Sequence, residues 1–141
     1  MRAILGFLLL FVALAAPPAA AQEVSSADQA AIRQVIQSQL DAFQHDDAGA
    51  AWSYASPSIQ SMFTTPEIFL EMVKTGYQPV YRPREVEFRQ LGDVGGSLVQ
   101  DVFVVGPDGR PVIARYSMQK QPDGSWRING CALTQAPDQN V

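Results

Sequence analysis

At 141 residues, with 14 acidic against 10 basic side chains, the chain has the length of a single domain and a formal charge of −4. That charge argues against a partner with a phosphate backbone, so nucleic acid is excluded as an expected ligand. One cysteine leaves no intramolecular disulfide to form, and one histidine beside it falls short of the three or four ligands that zinc takes, so no metal or cofactor is expected.

The N-terminus sets Arg2 before an uninterrupted apolar run of 14 residues, 3–16, and closes a small-residue stretch with Ala19, Ala20 and Ala21. This is the build of a cleavable secretory signal covering residues 1–21. The run is shorter than the roughly 20 residues that a membrane-crossing helix needs, so no stable anchor is expected after cleavage. The mature domain is then residues 22–141, with nine basic against 14 acidic side chains and a formal charge of −5. Its expected compartment is the periplasm of a two-membrane bacterium, or the extracellular medium otherwise.

Helical periodicity opens the mature chain. Ile32, Val35, Ile36, Leu40 and Phe43 recur at spacings of three and four, which predicts an amphipathic helix ending near His45. Ser26 and Gln29 have the spacing of a capping box at its start. Asp46 and Asp47 suit the N-cap of a short second helix through Ala50, Ala51, Trp52 and Tyr54. Ser56-Pro57 and Thr65-Pro66 repeat one device, a hydroxyl cap followed by proline at the first helical position. The second of these helices carries Ile68, Phe69, Met72 and Val73 on one expected face and stops at Gly76, a residue suited to a left-handed end. From residue 85 onward the pattern alternates and fills with β-branched and aromatic residues, predicting strands at 85–91, 98–105, 112–119 and 126–134. Short loops rich in Gly, Pro and Asp separate them, so the strands are expected to pair as an antiparallel meander in an α+β domain with the helices on one sheet face.

The order of elements, with its junction Ala42-Phe43-Gln44-His45-Asp46-Asp47-Ala48-Gly49-Ala50, resembles the nuclear-transport-factor-2-like superfamily. Tyr54-Ala55-Ser56-Pro57, Gly76-Tyr77, Pro79-Val80-Tyr81-Arg82-Pro83 and the segment from Asp123 to Cys131 are similar to a bacterial branch, the domain-of-unknown-function family 4864. The resemblance implies a cone-shaped, cystatin-like fold with a curved four-stranded sheet around a pocket, often dimeric through the sheet. It implies no particular reaction.

A steroid-isomerase-like site in such a cone would need an inward carboxylate, and Asp101 and Glu67 are the candidates. Glu67 has a plainer explanation, since an acid in a helix first turn is favoured for capping. His45 beside Asp46 reads as a helix C-terminal histidine, because adjacent helical residues point about 100° apart. Ser56 reads as a cap. The stretch GYQPVYRP, residues 76–83, holds two prolines that bias Gln78 and Arg82 toward extended geometry. It fits a rigid binding rim of Tyr77, Tyr81 and Arg82, and equally a structural cover in which Arg82 pairs with Glu85 or Glu87. By alternation Tyr116 and Trp126 join Ala114, Met118 and Ile128 on the inner face. Tyr77, Tyr81, Arg82, Tyr116, Trp126 and Trp52 are therefore the binding candidates, with no catalytic residue assigned. Arg115, Gln119, Arg127 and Asn129 would make the outer sheet face polar, with Ile113, Cys131 and Leu133 as an apolar patch for a homodimer. The expected function is binding of a small molecule or a partner protein in the pocket, without catalysis. The alternatives are an isomerase or cyclase-like enzyme using an inward carboxylate, and a structural subunit acting as a homodimer.

Overall fold

A computed structural model describes residues 24–137 and the isolated Ala13, so the cleavage point at Ala21 and nearly all of the predicted signal lie outside the described residues. Among those described, no helix is long and apolar enough to cross a membrane. The elements run α1 (Ser26–Gln44), α2 (Ala48–Ser53), α3 (Pro57–Phe63), α4 (Pro66–Gly76), α5 (Gln78–Tyr81), then β1 (Glu85–Val94), β2 (Ser97–Val105), β3 (Pro111–Lys120) and β4 (Trp126–Gln135). The strands form one open antiparallel sheet in the order β1-β2-β3-β4. The α+β class and the meander therefore stand as the sequence predicts.

The stripe of α1 faces the sheet: Ile32, Ile36, Leu40 and Phe43 are all buried. They meet Val102 and Val104 of β2, Ala114, Tyr116 and Met118 of β3 and Trp126 and Ile128 of β4 in one core cluster. Burying an aliphatic or aromatic side chain of this size stabilises a fold by about 1.5–3 kcal/mol. The cap lies one residue earlier than predicted. Ser25 accepts from the Asp28 amide at 3.1 Å, while Gln29 reaches past it to donate to the Val24 carbonyl at 2.9 Å. Asp47, not Asp46, caps α2 by accepting from the Ala50 amide at 3.0 Å. Asp46 instead takes a left-handed φ of 51° at the end of α1, a conformation that Asp tolerates better than most residues.

Both hydroxyl-proline caps form, with Ser56 accepting from Ile59 at 3.3 Å and Thr65 from Ile68 at 3.2 Å. Two details of α4 differ from expectation. Ile68 is exposed, and the buried face is Phe69, Leu70 and Val73. Gly76 is the last helical residue and keeps an ordinary φ; the chain turns at Tyr77 (φ −136°) and enters α5 directly. Residues 78–81 are thus a short helix rather than extended chain, because Pro79 sits in its first turn, where a missing N–H is harmless.

Ser56 does more than cap. Its amide donates to the Ile128 carbonyl at 2.8 Å, the Ile128 amide donates to the Tyr54 carbonyl at 2.8 Å, and its hydroxyl meets Asn129 Oδ1 at 2.8 Å. The segment around Ala55 therefore joins the free edge of β4, tying the helical layer to the sheet. Ser56→Ala removes the cap and the tie to Asn129 from a fully buried site. It is expected to cost about 1–2 kcal/mol, read as a lowered urea midpoint at an unchanged m-value.

Alternation places Gln100 and Val102 inward and Asp101 outward, where it pairs with Arg115 at 2.9 Å. In β4 the register shifts between Ser117 and Met118: Ser117 opposes Gly130 and Met118 opposes Ile128, so Asn129 is the extra residue of a bulge. One added residue reverses every side chain after it. Cys131 and Leu133 consequently oppose Tyr116 and Ala114 and pack against the core. This corrects the expected outer patch, of which Ile113 remains.

Candidate ligand cavity

A cavity of about 210 Å³ opens between α3, α4 and the sheet. Its walls are Phe43 and Gln39 of α1, Ile59, Met62 and Phe63 of α3, Phe69, Met72 and Val73 of α4, Tyr77 and Val80 near the α4–α5 turn, Ala55, and Tyr116, Ile128, Gly130 and Cys131 of the sheet. Met62 is 69% exposed and marks the mouth. Phe69 is the hub of the aromatic wall, with ring centroids 6.2 Å from Phe43, 5.8 Å from Trp52 and 5.8 Å from Phe63. The last two are edge-on, the arrangement that ring quadrupoles favour.

Of the six binding candidates, the structure brings Tyr77 and Tyr116 to this cavity. Trp52 stands behind the wall, edge-on to Phe69. Trp126 is buried beside α1, donating from Nε1 to Asp28 Oδ1 at 3.0 Å, with Lys120 over its ring at 5.7 Å. That indole bond is the main reason the Asp28 carboxyl lies below its ordinary range.

Tyr81 and Arg82 face a different partner. The Tyr81 hydroxyl donates to Asp46 Oδ1, Arg82 Nη2 reaches both Asp46 oxygens at 3.2 Å, and Arg82 Nη1 donates to the Phe43 carbonyl in the last turn of α1. The guanidinium lies 3.9 Å from the Tyr81 ring centroid. Arg82 thus pairs with Asp46 and not with Glu85 or Glu87, and GYQPVYRP works here as a clamp holding the end of α1 against α5. The Tyr81 hydroxyl bond, followed by Arg82, lowers the Asp46 pKa, and the same bond raises that of Tyr81. The ion pair is half-exposed, so its geometry fixes position more than it adds stability.

Among the described residues, no carboxylate lines the cavity. Asp101 is on the opposite sheet face and Glu67 is exposed in the first turn of α4. His45 caps α1, its Nδ1 2.8 Å from the Asp41 carbonyl oxygen. Among the described residues, no three His, Cys, Asp or Glu side chains converge as a metal set requires. Burial pushes the Cys131 thiol up to about 12, eased a little by Tyr116, and pushes the Tyr116 phenol well above its ordinary value. Both groups are therefore protonated at neutral pH. The α3 wall was the part that sequence reasoning missed, although Ile59, Met62 and Phe63 have the spacing of one helix face.

A family model described as Domain of unknown function (DUF4864) matches residues 25–141, and the chain belongs to that family. No curated protein and no solved structure matches it.

Proposed function

We propose that this member of the DUF4864 family is an exported, non-catalytic binding domain that takes a small apolar molecule into the cavity beneath α3 and α4, within a cone-shaped fold of the nuclear-transport-factor-2-like kind. The observation that carries the reading is the cavity itself: about 210 Å³, open at Met62, and, among the described residues, walled by five aromatic side chains with no charged residue. An apolar hollow of about 150 Å³ is enough to bind benzene, so this one suits a single-ring or short-chain compound. The enzyme alternative would need an inward acid, and both candidates lie elsewhere.

A thermal-shift screen of neutral single-ring and short-chain compounds, with native mass spectrometry on the hits, tests the reading. A compound at a hundred times its Kd should add about 2.7 kcal/mol and raise Tm by several degrees. Ile59→Trp fills the cavity from its wall and should abolish that rise. A screen in which no compound moves Tm ends the proposal, as does a hit whose shift survives in Ile59→Trp.

A further inference from the structure

The walls of the cavity are not held equally. α1 and α4 each bury several side chains and the sheet buries Tyr116 and Ile128, whereas α3 has no buried residue. Its Ile59 and Phe63 are half-buried along the cavity, and its Met62 is exposed at the mouth. An element with few buried apolar contacts opens at low cost. The two ends of α3 differ as well. Before it, Ser56 is fully buried and bonded to Ile128 and Asn129 of β4. After it, Thr64 takes φ 69° and ψ −36°, and the Thr65 amide donates across it to the Phe63 carbonyl at 2.8 Å. A three-residue turn with positive φ is the rare, strained form, and a β-branched residue is poorly suited to it. Thr64 is exposed, and its hydroxyl donates to the adjacent Phe63 carbonyl at 2.6 Å. Between the two ends, Gln60 Nε2 donates to the Trp52 carbonyl at 2.9 Å and fastens α3 to the end of α2.

We propose that α3 is a lid that admits and releases the ligand of the cavity. It swings about its buried Ser56 end, with the Thr64 turn as a strained hinge that relaxes on opening and the Gln60–Trp52 bond as the latch. The inference rests on the cavity-binding reading above and adds the route by which the cavity fills. Strain at Thr64 raises the closed state toward the open one, and the latch lowers it, so the two act on opening in opposite senses. Neither Thr64 nor Gln60 lines the cavity. Altering them therefore changes passage without changing what a bound molecule touches, and leaves affinity where it was.

Fluorobenzene is a single-ring probe whose 19F signal reports exchange between its free and bound forms. In 19F NMR exchange measurements on the intact protein, Thr64→Gly, which takes a positive φ without strain, should bind and release the probe about tenfold more slowly than the wild type, at unchanged Kd. Gln60→Ala unfastens the latch and should make both steps about fivefold faster, again at unchanged Kd. The Trp52 carbonyl keeps its bond from the Ala55 amide in that variant, so no acceptor is orphaned. A wall that never moves would show neither change. Rates that stay the same in both variants, that shift in the same direction in both, or that change only through Kd overturn the lid while leaving the cavity as a binding site. Failure of fluorobenzene to bind the wild type removes the cavity reading, and the lid with it.

Discussion

Replacing Phe43 with alanine is expected to lower the unfolding free energy by about 3–5 kcal/mol, the range for deleting a buried aromatic ring. Phe43 is 1% exposed. Its ring touches the Phe69 and Tyr81 rings at centroid distances of 6.2 and 6.5 Å, and its carbonyl receives the Arg82 guanidinium. One residue therefore ends the α1 stripe, forms part of the cavity wall and anchors the α5 clamp. The deleted ring would merge its space with the existing cavity, and helices already spread around a hollow have little freedom to collapse onto it. Against a total stability of about 5–15 kcal/mol for a domain of this size, the loss is large. Urea unfolding should show a much lower midpoint with an m-value close to that of the wild type. A drop below about 1 kcal/mol would mean that the ring does not hold α1 to α4.

Raising the pH from 9 to 12 should destabilise the protein through Cys131. The thiol's pKa moves from an ordinary 9.0 to about 12 because burial disfavours the thiolate, so the folded state holds its proton more tightly than the unfolded state. Below pH 9 both states are protonated and the full stability is present. Between pH 9 and 12 the unfolded chain releases the proton first, and stability falls as pH rises. At about 1.36 kcal/mol per pH unit the whole window amounts to roughly 4 kcal/mol. Tyr116 adds a loss of the same sign above its ordinary 10.0, since burial raises it too. Cys131→Ala removes the thiol, so the urea midpoint plotted against pH should fall less steeply from pH 9 upward than in the wild type. Parallel curves would place the thiol in water.

Much of the fold was legible because its signals are local. The hydroxyl-proline caps at Ser56 and Thr65 form as their spacing implies, and each predicted strand overlaps an observed one, since caps and turn residues act over three or four positions. The shared inward placement of Tyr116 and Trp126 followed from a period of two, which holds until the ladder is interrupted. It fails at Asn129, where one extra residue turns Cys131 and Leu133 to the core. Gly130 was the available signal, because an isolated glycine within a strand pattern is a mark of a bulge.

The cavity was less legible, since its walls come from positions as distant as Gln39 and Cys131. The Asp46 clamp joins residues 35 and 36 positions apart, whereas a reading along the chain offers Arg82 only the nearby Glu85 and Glu87. Whether Gln100 or Asp101 faced inward depended on which sheet face α1 covers, and Val102 and Val99 gave apolar neighbours to both sides.

The amino-acid order by itself determined the class of domain, its helices and strands and its acidic charge, because each of these is set by composition or by neighbours within a few residues. The tertiary structure alone decided which side of the sheet became interior after the bulge and which side chains surround the hollow. Those outcomes depend on contacts between segments far apart in the chain, whose geometry exists only once the helices have settled on the sheet.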